Sequence, residues 1–154
     1  MKQHKVIAVI LIILILLTLA FIWGNSLATE RESKEQSQKV LDDVKSALET
    51  VVGTGKATNH LIRKLAHFLE YAVLGIVFTL LFALRGRLNK QGIVNCAFIG
   101  FLAALTDETI QLFTDRGSQV QDVWLDFIGY SAGILVTAIV VKLIMRVRKS
   151  ENRQ

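Results

Sequence analysis

Proline is absent from the 154-residue chain, and there is only one cysteine. A single thiol excludes an internal disulfide, so Cys96 is interpreted as a small residue packed in an apolar interior. The broken helices of many transporters are marked by Gly or Pro interruptions in their apolar segments. The lack of proline therefore disfavours a transporter, as does the small number of apolar segments.

Polar surface is also scarce, because 52% of the residues are apolar and only 20% are charged. This composition disfavours a soluble globule and indicates a membrane protein. The formal net charge is +5, but no basic patch interleaved with aromatic residues is present, which argues against nucleic acid as a partner. The chain also lacks an HExxH motif, a nucleophile elbow and a phosphatase signature, so no catalytic motif assigns a reaction.

Four apolar segments predict the architecture. The first, Val6–Trp23, has 18 residues with Thr18 as its only polar side chain, close to the ~20 residues that cross ~30 Å of hydrocarbon. The other three reach that length only when a polar turn at one end is included. We therefore predict an all-α, polytopic membrane protein that forms a single domain over residues 1–154, with four transmembrane helices at about 6–23, 65–84, 93–113 and 123–145.

The first apolar segment also resembles a signal peptide. Lys2 and Lys5 precede it, and Ser26-Leu27-Ala28 has the small residues of a cleavage site. The apolar run is nevertheless longer than the roughly 7 to 15 residues found in such peptides. We expect a retained anchor, with cleavage of residues 1–28 as the open alternative.

A charged segment at 30–52 has helical periodicity. Its apolar and charged residues fall on opposite faces, which predicts an amphipathic helix that lies on the membrane or caps the bundle. Ser33 and Gln36 have the spacing of a capping box, and Gly53 is expected to end the helix. The apolar face consists of Val40, Leu41, Val44, Leu48, Val51 and Val52.

The basic residues predict the orientation, because the cytoplasmic loops of membrane proteins are enriched in Lys and Arg. With four spans, the basic residues at 2–5, 85–90 and 146–153 fall on one side. The opposite segment 25–62 carries mixed charge, with six acids and five bases. We predict a multi-pass protein of the cell membrane with both termini in the cytoplasm and an extracytoplasmic amphipathic helix.

Polar residues within the apolar segments are concentrated between Asp107 and Gly133, which hold five of the chain's thirteen acids. A charge at the centre of a spanning helix costs roughly 2.5 to 3.5 kcal/mol, so these acids require local compensation. At 1.5 Å per residue from the cytoplasmic helix ends, Glu70, Asp107 and Asp126 all lie about 21 to 24 Å up. Three helices are thus predicted to place polar groups in one layer, just below the outer interface.

The positions of these residues around each helix also predict that their side chains face one another. Asp126, Gly129 and Gly133 share one stripe, and the two glycines form a small-xxx-small pattern that lets another helix approach closely. We predict an outward-opening pocket whose candidate catalytic residues are His67, Glu70, Asp107, Glu108 and Asp126. The candidate substrate-binding residues are Arg63, Lys64, Tyr71, Gln111, Arg116 and Asp122.

Several carboxylates in one layer repel each other unless a cation or bound protons offset them. We therefore consider a divalent cation, with Glu70, Asp107, Glu108 and Asp126 as its candidate ligands. Each residue alone also has a structural interpretation. His67 could be a packing histidine, and Asp126 could pair with Arg116 or Lys64.

Two blocks of residues resemble the VanZ-like family of small bacterial membrane proteins. They are Arg63-Lys64-Leu65-Ala66-His67-Phe68-Leu69-Glu70-Tyr71 through Gly75, and Thr106-Asp107-Glu108 with Gln111, Phe113, Arg116, Asp122, Asp126, Gly129 and Gly133. A weaker first motif begins at Asn25-Ser26. The resemblance covers about residues 25–133 and implies a polytopic envelope protein linked to resistance to the glycopeptide teicoplanin. Thr106 stands where Ser is usual, and Thr114-Asp115 replaces a Pro-Gly turn.

Two hypotheses of function follow, and the sequence leaves both open. In the first, the protein is a metal-dependent enzyme acting on an envelope lipid or peptidoglycan precursor, with His67 as general acid or base and Arg63 and Arg116 clamping a phosphate. In the second, it is a non-catalytic membrane module that binds an antibiotic such as a lipoglycopeptide, a lipid headgroup or an envelope partner. The ligand, any bound metal and the oligomeric state are not determined by the sequence.

Overall fold

The computed structural model describes residues 2–114 and 119–151. They form α1 (Lys2–Ser26), α2 (Glu30–Val52), α3 (Asn59–Leu84), α4 (Lys90–Phe113) and α5 (Val120–Glu151), and none of the described residues is in a strand. All helices except α2 are long and apolar enough to cross a membrane. The predicted all-α fold with four membrane-spanning helices and a separate amphipathic helix is confirmed.

The four apolar helices extend beyond the predicted spans. They contain 24 to 32 residues, which corresponds to about 36 to 48 Å against ~30 Å of hydrocarbon. The difference arises because hydropathy marks the part of a helix that contacts lipid, whereas the polar turns at the ends are helical as well. Large apolar side chains on these helices are exposed, as expected of a lipid-facing surface. The prediction of one domain over the whole chain stays a prediction.

The core lies between α3 and α5, which form the most extensive helix pair, with α1 and α4 packed alongside. Tyr71, Leu74, Ala104 and Tyr130 have no exposed surface. Cys96 is also buried, and its Sγ lies 3.5 Å from Tyr130 Oη. Cys96 is therefore a packed core residue, as the sequence indicated.

Glycines let α3 and α5 approach closely. A Cβ atom at Gly129 would lie 2.4 Å from Phe68 O, and one at Gly133 would lie 2.2 Å from Ala72 O. These distances are shorter than van der Waals contact, so a larger residue would separate the helices. The predicted small-xxx-small contact is confirmed, and it fixes how Asp126, one turn before Gly129, faces α3.

Helix α2 begins at Glu30, as predicted, but its capping residues differ from the prediction. Thr29, rather than Ser33, is the N-cap: its side chain accepts a hydrogen bond from the Glu32 N–H, and the Glu32 carboxylate accepts one from the Thr29 N–H at 2.8 Å. Thr29 and Glu32 have the same spacing as Ser33 and Gln36, but a carboxylate is a stronger acceptor than an amide. The predicted capping box was therefore wrong by one helical turn, while Gly53 ends the helix as predicted.

Loss of this cap has a measurable consequence. We expect Thr29→Ala to weaken the first turn of α2 by about 1 kcal/mol, because the Glu32 N–H loses its acceptor. Hydrogen exchange of the amides at 30–33 should become about fivefold faster. Thr54→Ala, in the exposed turn after α2, serves as the control, and equal exchange in both variants would contradict the role of the cap.

The same cap is sensitive to acid. The Thr29 N–H donates to Glu32 and lowers the pKa of that carboxyl below its ordinary value of 4.5. Stabilisation by Glu32 is therefore complete above pH 4.5 and is lost as the pH falls through the lowered pKa. Exchange at the start of α2 should accelerate in that acidic range in the wild type and less in Glu32→Gln.

Candidate functional site

A cavity of about 260 Å³ opens where the beginnings of α2, α3 and α5 meet the end of α4. Polar and charged side chains from these four helices form nearly all of its wall. Leu125 is the one apolar residue among the described residues that line it. The lining residues are Glu30, His60, Arg63, Lys64, His67, Glu108, Gln111, Gln119, Asp122, Leu125 and Asp126.

His67 and Asp126, which line this cavity, converge with Asp107, which is fully buried and is not among its lining residues. His67 on α3 has its Nδ1 3.6 Å from Asp107 Oδ2 on α4 and 3.6 Å from Asp126 Oδ1 on α5. One ligand atom from each residue lies within 4.8 Å of the other two. The convergence that helix depth predicted is therefore present, and we call these three residues the His-Asp-Asp cluster.

The two carboxylates of the cluster are removed from solvent. Asp107 and Asp126 have 0% exposed surface, and the His67 side chain is 16% exposed. Both carboxylate oxygens of Asp126 lack a hydrogen-bond partner among the described residues. A buried carboxylate is costly unless it is paired, hydrogen-bonded or bound to a cation. The geometry thus resembles a site built around an ion.

A hydrogen-bond chain holds Asp107 in place. Gln111, one turn further along α4, donates through Nε2 to Asp107 Oδ2 at 2.9 Å and to Ser26 Oγ at 3.4 Å. Thr114 Oγ1 donates to the carbonyl oxygen of Ser26 at 3.0 Å. The end of α1 is thereby linked to α4, and Gln111 orients one cluster ligand as an outer-shell group does in metal sites.

The rim of the cavity carries charged side chains of both signs. Arg63, Lys64 and His60 all line it, and Lys64 Nζ lies 3.2 Å from Asp122 Oδ1. Glu30 at the start of α2 forms an ion pair with Lys34 at 2.6 Å, and the hydrogen bond and charge of Lys34 lower the pKa of Glu30. Because Lys64 and Asp122 neutralise each other, Arg63 dominates the local positive charge.

The predicted ligand set is only partly brought together. Asp107 and Asp126 belong to the cluster, whereas Glu70 and Glu108 lie outside it and His67 takes the third place. Glu108 lines the cavity and accepts a hydrogen bond from the Gln119 N–H at 3.3 Å. Glu70 accepts one from Asn25 Nδ2 at 3.3 Å and faces a different cavity.

Only some of the predicted substrate-binding residues line the cavity. Arg63, Lys64, Gln111 and Asp122 line the cavity. Tyr71 has no exposed surface and donates its hydroxyl to the Ala103 carbonyl at 3.1 Å, so it lies in the core behind the cluster. Arg116 lies outside the described residues. The roles assigned to these residues stay predictions.

Sequence reasoning missed four residues that line the cavity, Glu30, His60, Gln119 and Leu125, and also Ser26, whose Oγ accepts a hydrogen bond from Gln111. Ser26 was considered only as part of a cleavage site and of the weak Asn25-Ser26 motif. That motif was the available signal, since Asn25 and Ser26 contact Glu70 and Gln111. Nothing in the sequence pattern distinguished His60 from an ordinary loop histidine.

Comparisons with known proteins place this architecture in a family. Searches of the curated proteins and of the solved structures found no significant match. A model of the family described as VanZ/LLP1 matches residues 6–142, which include most of α1 and α5, all of α2, α3 and α4, and every described residue that lines the cavity. The chain is therefore a multi-pass membrane protein that belongs to the VanZ/LLP1 family.

Proposed function

We propose that the cavity binds the phosphate group of an envelope lipid at a divalent cation and hydrolyses its phosphate ester. The observation that carries this proposal is the convergence of His67, Asp107 and Asp126 next to a cavity that Arg63 also lines. One imidazole and two carboxylates suit Mn²⁺ or a similar ion better than Ca²⁺, which prefers oxygen ligands only. Three protein ligands leave coordination positions for water and substrate.

The rim supplies the complementary charge for an anion. Arg63 lines the cavity together with His67, so its guanidinium is available to a phosphate that reaches the cluster. A guanidinium binds phosphate through two parallel hydrogen bonds, which gives both affinity and orientation. Lys64 is held by Asp122 at 3.2 Å and adds charge at the edge.

Hydrolysis requires water, a base and a leaving group. The water oxygen attacks phosphorus, the bond from phosphorus to the lipid oxygen breaks, and the lipid alcohol and a phosphate are released. A cation at the cluster would lower the pKa of the attacking water and stabilise the developing charge. Glu108 lines the cavity outside the cluster and accepts the water's proton, which is then passed to the leaving alcohol.

With the basic segments in the cytoplasm, as the sequence predicts, this cavity would open on the outer side of the membrane. Removing phosphate from a surface lipid would change the charge of the outer leaflet. Such a change alters how charged or lipid-bearing antibiotics approach the membrane. This is how the proposed activity would contribute to resistance of the glycopeptide type or to envelope homeostasis.

Binding without turnover is the second candidate, and the depth of the cluster favours it. Asp107 and Asp126 have no exposed surface, so a ligand held there would exchange slowly. In this case the protein would sequester a phosphate-bearing lipid or an antibiotic rather than convert it. The cation and Arg63 would have the same roles.

The test uses the full chain purified in detergent. We expect Mn²⁺ to bind with a stoichiometry of one, and inorganic phosphate to bind only when Mn²⁺ is present. Arg63→Gln should weaken phosphate binding by about tenfold to 100-fold, because a charge-assisted bidentate contact is lost. Arg87→Gln, an exposed arginine in the α3–α4 turn, is the control. Mn²⁺ affinity should be equal in both variants.

Phosphate release from short-chain lipid phosphates then separates the two candidates. Release that depends on Mn²⁺ and stops with a chelator supports the hydrolase. Stoichiometric Mn²⁺ and phosphate binding without release supports the binding module. A protein that binds neither Mn²⁺ nor phosphate contradicts both.

A further inference from the structure

A groove of about 350 Å³ lies between α4 and α5 on the outside of the bundle. Buried Ile134 and Ala138 are among its lining residues, and Leu135 and Ile139, which also line it, are exposed. Large apolar side chains exposed on the spanning helices face lipid. The groove therefore opens toward the membrane, and it shares no described lining residue with the cavity at Arg63.

The length of the groove matches one leaflet of a bilayer. On α5 its lining begins at Ser131 and ends at Lys142. At 1.5 Å per residue this stretch is about 16 Å long, and half of the ~30 Å hydrocarbon core is about 15 Å. One acyl chain of a single leaflet fills such a groove, whereas a spanning helix from a second copy of the protein needs about twice this length.

The end of the groove at Lys142 is basic. Lys142 is the one charged residue among the described residues that line the groove. On α4, Ile93 lines the groove, and Lys90 lies three residues before it, on the same face of the helix. Because α4 begins at Lys90, the positive end of its dipole lies there as well. This end of the groove therefore favours an anion.

No nearby acid offsets these charges. The described segments 84–95 and 139–150 contain no Asp or Glu. Neither Lys90 nor Lys142 forms an ion pair with another described residue, whereas Lys64 is paired with Asp122. Basic residues at the membrane surface attract anionic lipids, and they repel the ammonium group of a zwitterionic headgroup. The groove is thus suited to a lipid with a net negative headgroup.

We propose that this groove binds an anionic glycerophospholipid, of the phosphatidylglycerol class, from the leaflet at the Lys142 end of α5. Its phosphate lies between Lys90 and Lys142, and one acyl chain follows the groove past Ala97 and Ala138 toward Ser131. The lipid would contact both helices that carry the carboxylates of the His-Asp-Asp cluster and so support their packing. This inference does not rest on the proposed function, because neither a cation nor the cavity takes part in it.

Native mass spectrometry of the full chain, released from detergent micelles, measures lipid binding and oligomeric state together. We expect phosphatidylglycerol to bind about tenfold more tightly than phosphatidylcholine with the same acyl chains, since each lysine favours a negative headgroup. Lys90→Gln/Lys142→Gln should bring the two affinities to within about twofold of each other. Lys2→Gln/Lys5→Gln removes the same charge at exposed positions of α1 outside the groove, and it should keep the preference.

A second pair of variants tests the position of the acyl chain. Ala97→Leu adds bulk at a half-buried position that lines the groove. It should weaken the binding of both lipids by about tenfold, because roughly two methylene groups of the chain lose their place. Val94→Leu adds bulk at an exposed position of α4 outside the lining and should bind both lipids as the wild type does.

Contrary results at either end of the groove overturn the proposal. Equal affinity of the wild type for the two lipids, or a preference that survives in Lys90→Gln/Lys142→Gln, shows that the headgroup is not recognised there. Unchanged lipid binding in Ala97→Leu shows that the chain lies elsewhere. A dimer that Ala97→Leu dissociates shows that a second copy covers the groove. The lysine variant should keep its affinity for phosphatidylcholine, which shows that the groove is folded, and loss of both lipids in this variant also contradicts the proposal.

Discussion

Asp126→Asn should abolish divalent cation binding while leaving the protein folded. Asp126 has no exposed surface, its oxygens have no hydrogen-bond partner among the described residues, and its Oδ1 lies 3.6 Å from His67 Nδ1. Removing one of three charged or imidazole ligands should weaken Mn²⁺ binding by more than about 100-fold, the upper end of what even an outer-shell partner costs. Calorimetric titration with Mn²⁺ measures the effect directly.

The thermal stability of this variant should change in opposite directions with and without metal. In chelator, Asp126→Asn should unfold at a temperature at least as high as the wild type, because a buried carboxylate without hydrogen bonds is replaced by a neutral amide. In excess Mn²⁺ only the wild type should gain stability, since ligand binding stabilises the folded state. Asp43→Asn on the exposed face of α2 is the control and should behave as wild type. A wild type that gains nothing from Mn²⁺ would contradict the metal site.

Gly129→Ala should destabilise the protein, whereas Gly24→Ala should stabilise it. Alanine normally favours a helix over glycine by about 1 kcal/mol. At Gly24, on α1, an added Cβ would meet nothing within 4 Å, so this gain should be observed. At Gly129 the Cβ would lie 2.4 Å from the Phe68 carbonyl oxygen, which is backbone and cannot rotate away. We expect a net loss of about 3 kcal/mol from this overpacking.

Both substitutions add the same methyl group to a helix, yet they are expected to change the free energy of unfolding in opposite directions. The difference between them therefore reports on helix packing and not on helix propensity. Unfolding in mixed detergent micelles, followed by circular dichroism, measures both variants. Gly129→Ala should also weaken Mn²⁺ binding, since separating α3 from α5 moves His67 away from Asp126. A Gly129→Ala protein as stable as Gly24→Ala would show that α3 and α5 are not in close contact.

Much of the fold could be predicted because the signals are local. The 18 residues at 6–23, with only one polar side chain, require a helix in lipid, where every backbone group must be hydrogen-bonded within the segment. The glycine spacing at 129 and 133 likewise predicts a close helix contact from local chemistry. The bounds of α2 were predicted as well, but its capping box was placed one turn too far along the chain, because Thr29-Glu32 and Ser33-Gln36 have the same spacing and the carboxylate is the stronger acceptor.

The sequence predicted that the acids of the candidate site lie at the same depth in the membrane, but not which of them are in contact. Constant helical rise places Glu70, Asp107 and Asp126 at similar depth, and this part needed no tertiary information. Which carboxylates meet depends on helix rotation, which depends on packing. That is why Glu70, at the right depth, faces Asn25 and a different cavity, while His67 joins Asp107 and Asp126.

The sequence by itself determined that this chain is helical, that it crosses a membrane four times and that its buried acids lie in one layer. These properties depend on hydropathy and on the rise per residue, which act along a single segment. Only the tertiary structure decided that His67 and Asp126 on a cavity wall meet the buried Asp107, that Tyr71 lies in the core, and that Ser33 and Ser37 line a second cavity. The physical reason is that the rotation of each helix about its axis results from side-chain packing between helices, which no single segment specifies.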